Sequence, residues 1–154
     1  MATQSCGHRP RRRRLNIVTN SLVRQLDDPD LAGWIEVWDE LEALMVGVYK
    51  AGVSDGRQKA GLKRARRWLR RTYPHWKAAF RPFWQGLKAA GRPVDEDPFL
   101  AVLAVPNADA VVGDWRTMQL LPAAREAMNL YVLARVDSLR SGDAPDTPSA
   151  ADQP

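Results

Sequence analysis

The chain has 154 residues, 45% of them apolar and 27% charged, with a net charge of +5 and a pI of about 9.8. This is an ordinary globular composition, long enough for one domain with a real core, and it sets aside a fibrous or wholly disordered chain. Cys6 is the only cysteine, which excludes an intrachain disulfide and a cysteine-built zinc cluster.

Residues 1–14, with "HRPRRRR" and no apolar pattern, are expected to form a disordered basic arm. No apolar run follows the arginines, so a secretory signal is not expected. The folded domain is expected over 15–140. Its first helix, 15–26, would place Leu15, Val18, Leu22 and Leu26 on one face. A second, 31–51, has Asp30 as its N-cap and Gly52 at its end, with Leu31, Trp34, Ile35, Trp38, Leu41, Met45 and Val48 at helical spacing.

A third segment runs from Ser54 towards Ala90. Leu62, Ala65, Leu69, Tyr73, Trp76, Phe80, Phe83 and Leu87 step by three and four and make one apolar face. Pro74 and Pro82 interrupt it, so it is expected to be kinked, or to be two helices meeting near Tyr73–Pro74. Asp97-Pro98 reads as a cap followed by a first-turn proline, opening a short helix to Val105. Asp114 would cap another at 115–121, and Pro122 would open the last, 122–140, with Ala124, Met128, Tyr131, Val132 and Val136 facing inward. Residues 141–154, "SGDAPDTPSAADQP", are expected to be a disordered tail. The fold class is thus all-α: a single-domain helical bundle of five to seven helices with a kinked central basic helix and disordered termini. The longest apolar run, 99–105, is too short to cross a bilayer, and a soluble, cytoplasmic protein is expected.

Charge is the most informative feature. Arg57 to Arg92 contains twelve Lys or Arg and no Asp or Glu. With Leu62 at zero and about 100° per residue, Lys59, Lys63, Arg67, Arg70, Lys77, Arg81 and Lys88 fall between about 60° and 140°. They form a stripe beside the buried face; Arg64 and Arg71 lie farther round. Like charges at i, i+4 oppose a helix, and a bound polyanion would relieve them. Residues 27–42 carry seven acids and no base, so internal pairing with a solvated face is an alternative. Twelve positive minus seven negative leaves five unmatched, however, and Glu36 and Glu40 point away from their helix's apolar face. The candidate nucleic-acid contacts are Lys59, Lys63, Arg66, Arg67, Arg70, Arg71, Lys77, Arg81 and Lys88. Spread along a helix face, they suit phosphates rather than base edges. Trp68 and Trp84, at the edges of the apolar face, could stack on unpaired bases, although covering the core margin is the favoured reading. Arg and Trp mixed on one amphipathic helix also suit a membrane surface, but the apolar face has other apolar helices to meet.

No catalytic set is legible. His8 and His75 are the only histidines, which leaves no His–His metal site or triad, and there is no Gly-rich phosphate cradle. No cofactor and no metal are expected, and Asp95-Glu96-Asp97 reads as acids at a helix N-terminus. Arg70 to His75 has the R-x4-H spacing that resembles the ribonuclease motif of the HEPN family. That resemblance would make His75 an acid–base and Arg70 a phosphate stabiliser, but Arg71 stands where that family usually has a polar residue, and Pro74 lies inside the motif. By length, helix content and the Arg57–Arg92 stripe, the chain resembles the helical small subunits of CRISPR effector complexes, which serve antiviral defence. That resemblance implies side-by-side packing with other subunits, a basic face on RNA or DNA, and no cleavage. The expectation is a non-catalytic, sequence-independent RNA- or single-strand-DNA-binding subunit of a ribonucleoprotein. The alternative is a helical protein-interaction module whose basic face meets an acidic partner.

Overall fold

The structure, a computed structural model, describes residues 21–142. The basic arm, His8, Cys6, and the tail beyond Gly142 lie outside the described residues. Helix and connecting turns account for what is described, with no strand among those residues. Helix α1 covers 21–26 of them, α2 Pro29–Ala51, α3 Gly56–Ala89, α4 Pro98–Leu103 and α5 Trp115–Arg140; a 3-10 turn, Asp109–Val111, lies between α4 and α5. The chain is all-α, as expected.

Four boundaries differ from the sequence reading; the short helix α4 ends at Leu103, two residues before the expected Val105. Helix α2 opens two residues early, because Pro29 occupies its first turn and the Asp28 carboxylate, not Asp30, accepts from Leu31 N–H at 3.0 Å. Helix α3 is one continuous 34-residue helix with Pro74 and Pro82 inside it, not two helices. The carbonyls those prolines cannot serve belong to Arg70 and Ala78, both on the exposed side, where water can take the missing donor's place. Helix α5 begins at Trp115, so Pro122 lies inside it and opens nothing. Its start is set by Asp114, which accepts from Thr117 N–H (3.1 Å) and Thr117 Oγ1–H (2.6 Å).

The described residues fall into two compact units. In the smaller, 21–32 with 132–142, Val23, Leu26, Leu31, Val132 and Val136 are buried, and Arg140 donates to Gln25 at 3.4 Å. In the larger, 33–131, α2 and α3 run antiparallel. Trp34 meets Tyr73, and Leu44 lies 3.1 Å from where a Cβ on Gly61 would sit. The turn between them needs Gly52 at φ +75°, and Asp55 then closes a capping box with Gln58.

The core of this unit is aromatic. Trp34 packs on Trp38, Tyr73 and Phe80 with centroids 5.7–6.1 Å apart. Phe99 from α4 stacks on Tyr73 (5.4 Å) and Phe80 (5.0 Å) and meets Trp38 edge-on. Tyr131 from α5 stands edge-on to Phe80 at 5.4 Å. Such pairs add about 0.5–1.5 kcal/mol each beyond the area they bury. Polar atoms pin the ensemble. Trp34 Nε1–H donates to Met128 Sδ at 3.3 Å, and Tyr73 Oη–H donates to Asp97, the residue that also caps α4 through Phe99 N–H. Burial above all, with the Asp97 charge and hydrogen bond, pushes the Tyr73 phenol well above its ordinary 10.0.

One ion network is substantially buried. Arg125 of α5 donates to both Asp39 and Glu42 of α2, and its side chain is only 16% exposed. Burial raises the Asp39 pKa, and Arg125 opposes that rise. Removing one partner from such a network leaves uncompensated charge, at a cost of about 3–5 kcal/mol. Arg125→Met is therefore expected to lower stability by about that amount at pH 7. A carboxyl whose folded pKa is raised opposes folding above its unfolded value, so the deficit should shrink as pH falls towards the ordinary 3.8. Urea unfolding at pH 7 and near pH 4.5 measures it; an equal deficit at both pH values would show that the carboxylates are not the cause. The Tyr73 phenol has the matching sign. Its contribution is complete below 10.0 and is lost as pH rises above it, so wild type should lose more stability than Tyr73→Phe between about pH 9.5 and pH 11.5. Parallel losses would remove Tyr73 as the source.

Candidate functional site

Helix α3 presents its cations because two neighbours fix its rotation. On one flank α2 approaches through Gly61, through Arg64 with Glu40 (3.6 Å), and through Trp68 with Trp34 (6.4 Å). On the other flank α4 and the turn after it approach. Tyr73 reaches Asp97, Arg66 Nε–H donates to the Leu103 carbonyl at 3.0 Å, and Lys59 pairs with Asp109 at 3.6 Å. Asp109 also accepts from Ser54 Oγ–H, and that bond with the Lys59 charge holds its carboxyl below the usual range. Everything between those flanks faces outward.

The predicted contacts divide accordingly. Lys63, Arg67, Arg70, Arg71, Lys77, Arg81 and Lys88 are all exposed, and none has an acidic partner among the described residues. Lys59 is tied to Asp109 yet remains half exposed. Arg66 stands apart: it is half-buried, bonded to a backbone carbonyl, and its pKa is lowered by burial and by the like charge of Arg70. It holds α4 against α3.

The acids of 27–42 do not neutralise the stripe. Asp39 and Glu42 meet Arg125, and Glu40 reaches the basic helix through an ion pair exposed on both sides. Pairs of that kind contribute little. Arg92, beyond the helix, pairs with Glu126 at 2.9 Å, while Asp95 and Glu96 serve Arg116.

Next to the stripe lies a surface groove of about 510 Å³, lined by Ala60, Lys63, Arg64, Arg67, Trp68 and Arg71. Its signal in the sequence is two adjacent i, i+4 rows, Ala60-Arg64-Trp68 and Lys63-Arg67-Arg71. A wheel centred on the apolar face sets Arg64 and Arg71 aside as merely farther round and so misses it. Trp68 is half-buried, as a residue at the core edge should be, whereas Trp84 is buried and not at the edge. Trp76 is buried too, so two of the three tryptophans of α3 have no surface to immerse in a bilayer. No described helix is long and apolar enough to cross one.

Arg70 and His75 share one continuous helix, where positions five apart point about 140° away from each other. Both are exposed, and His75 rests edge-on against Trp76 at 4.9 Å. They do not converge on a common reacting atom within this chain. Among the described residues no group of three His, Cys, Asp or Glu could hold a metal ion. Comparison with protein families, with curated proteins and with solved structures gives no match to this chain.

Unpaired like charges repel along α3, and salt screens that repulsion over a Debye length of about 10 Å at 0.1 M. The folded state is therefore expected to gain stability as sodium chloride rises from about 20 to about 300 mM. Lys63→Gln, Arg70→Gln, Lys77→Gln and Arg81→Gln together should flatten that dependence and raise the low-salt melting temperature. An unchanged salt response would mean that the stripe carries no net repulsion.

Proposed function

We propose that the chain is a non-catalytic subunit that binds the phosphate backbone of RNA or single-stranded DNA through the outward face of α3, without reading sequence. The observation that supports this most directly is the run of seven exposed cations on one continuous helix, none with an acidic partner among the described residues. Side chains that serve solubility alone gain by mixing signs, whereas this face keeps one sign and accepts the repulsion. A polyanion supplies the missing counter-charge and releases its own condensed counterions. Of Asn and Gln, the side chains that read adenine, Gln85 alone falls on the arc of the stripe, so the face is dominated by cations suited to positioning on phosphates. The class-level resemblance to helical small subunits of CRISPR effector complexes extends the reading: other protein subunits, and copies of this chain side by side, would complete the nucleoprotein. An acidic protein is the competing partner for the same face.

The test is the salt dependence of binding to an unstructured single strand. Neutralising Lys63, Arg70, Lys77 and Arg81 to Gln should reduce the slope of log affinity against log salt by roughly three, from about 0.7 per phosphate contact. The control neutralises Arg24, Lys50, Arg57 and Arg140, which are exposed and outside the stripe. Net charge alone would weaken both variants equally; a stripe that engages phosphates weakens the first alone. If the first variant binds as wild type does, the nucleic-acid reading is wrong and the face serves solubility or a protein partner.

A further inference from the structure

The groove beside the stripe combines features that a pure phosphate track does not need. Lys63, Arg64, Arg67 and Arg71 surround it, Ala60 leaves its floor open, and the indole of Trp68 forms a wall. Its volume of about 510 Å³ lies within the range of sites that hold small organic groups. The wall is buttressed from behind: the Trp68 indole lies against Trp34, with ring centroids 6.4 Å apart. Lys63, Arg67 and Arg71 have no acidic partner among the described residues, and Arg64 has only the exposed Glu40. The other tryptophans offer no such pairing. Trp34, Trp38, Trp76 and Trp84 are buried, and Trp115, 63% exposed, stands next to an arginine already held by Asp95 and Glu96.

An aromatic face with free guanidinium groups fits a ligand that is flat and apolar in one part and anionic in the next. Base stacking is tolerant of sequence, because every base has a π-face, and arginine's fork matches a phosphate's oxygens. We infer that this groove seats one unpaired nucleotide of a single strand, its base against Trp68 and its adjoining phosphates on Arg64, Arg67 and Arg71. The inference rests on the proposed nucleic-acid binding and deepens it: the surface would prefer a strand with free bases to a duplex or a bare polyphosphate chain.

The test compares a twelve-nucleotide oligothymidylate with an abasic strand of equal length and charge, each titrated with wild type, Trp68→Leu and Trp68→Phe. Wild type should bind the base-bearing strand about five- to a hundredfold more tightly than the abasic one. Trp68→Leu should remove that advantage, leaving abasic binding and the salt slope unchanged, and Trp68→Phe should restore most of it. Equal wild-type affinity for the two strands overturns the inference but leaves phosphate binding standing. A Trp68→Leu variant that weakens both strands alike, or neither, overturns it in the same way. If Trp68→Leu folds poorly, its equal weakening of both strands does not count, and the wild-type comparison together with Trp68→Phe, which should keep most of the advantage, decides. Absence of wild-type binding to either strand would overturn the nucleic-acid reading itself, and this inference with it.

Discussion

The structure of the larger unit depends on the stack around Trp34. This one side chain meets Trp38 in its own helix, Trp68, Tyr73 and Phe80 in α3, and Met128 in α5. Large planar rings in offset or edge contact resist sliding more than aliphatic side chains do, because both area and quadrupole geometry change with rotation. Helix α3 is therefore held at one angle about its own axis. That angle leaves its apolar face inside, and it also decides which cations meet solvent and which, like Arg66, are drawn in. The cationic surface follows from core packing as much as from composition.

Charges sort along the same lines. Acids that face inward, Asp39 and Glu42, are matched by Arg125; those near the chain turns, Asp95 and Glu96, by Arg116. Asp97 is used twice, as a helix cap and as the acceptor of the Tyr73 phenol. These acids hold helices and turns together, and among the described residues no acid pairs with the seven exposed cations on the outward arc of α3. Two indole N–H groups, Trp38 Nε1 and Trp84 Nε1, are buried without a partner among the described residues, a cost of about 1–3 kcal/mol each that the surrounding burial outweighs.

Much of this is legible in the amino-acid pattern. The three-and-four spacing of Leu62, Ala65, Leu69, Tyr73, Trp76, Phe80 and Leu87 identifies the side chains of α3 that are buried, and Asp97-Pro98 marks the start of α4. What a single helix taken alone does not reveal depends on its neighbours. Arg66 and Trp84 both fall at about 40° on the wheel, just outside the stripe, and the contacts of Tyr73 and Arg66 with Asp97 and Leu103 place α4 along that flank. The prolines mislead in the other direction. An internal proline costs about 3 kcal/mol in an isolated helix, but Pro74 and Pro82 lie on the outward side while the inward side carries the aromatic core. Tertiary packing overrides the local penalty. The groove escapes notice because its two rows straddle the arc that a wheel centred on hydrophobicity treats as background.

The unbroken course of α3 also gives the protein a fixed measure of length. At about 1.5 Å per residue its 34 residues make roughly 51 Å of helix, and Lys59 and Lys88 stand roughly 44 Å apart measured along its axis. Two helices joined at a hinge would let those ends approach each other and fit ligands of several sizes. One continuous helix cannot. Any polyanion engaging both ends has to be extended over that span, so the footprint of this surface is set by helical rise, and a compact or short anion can reach only part of it.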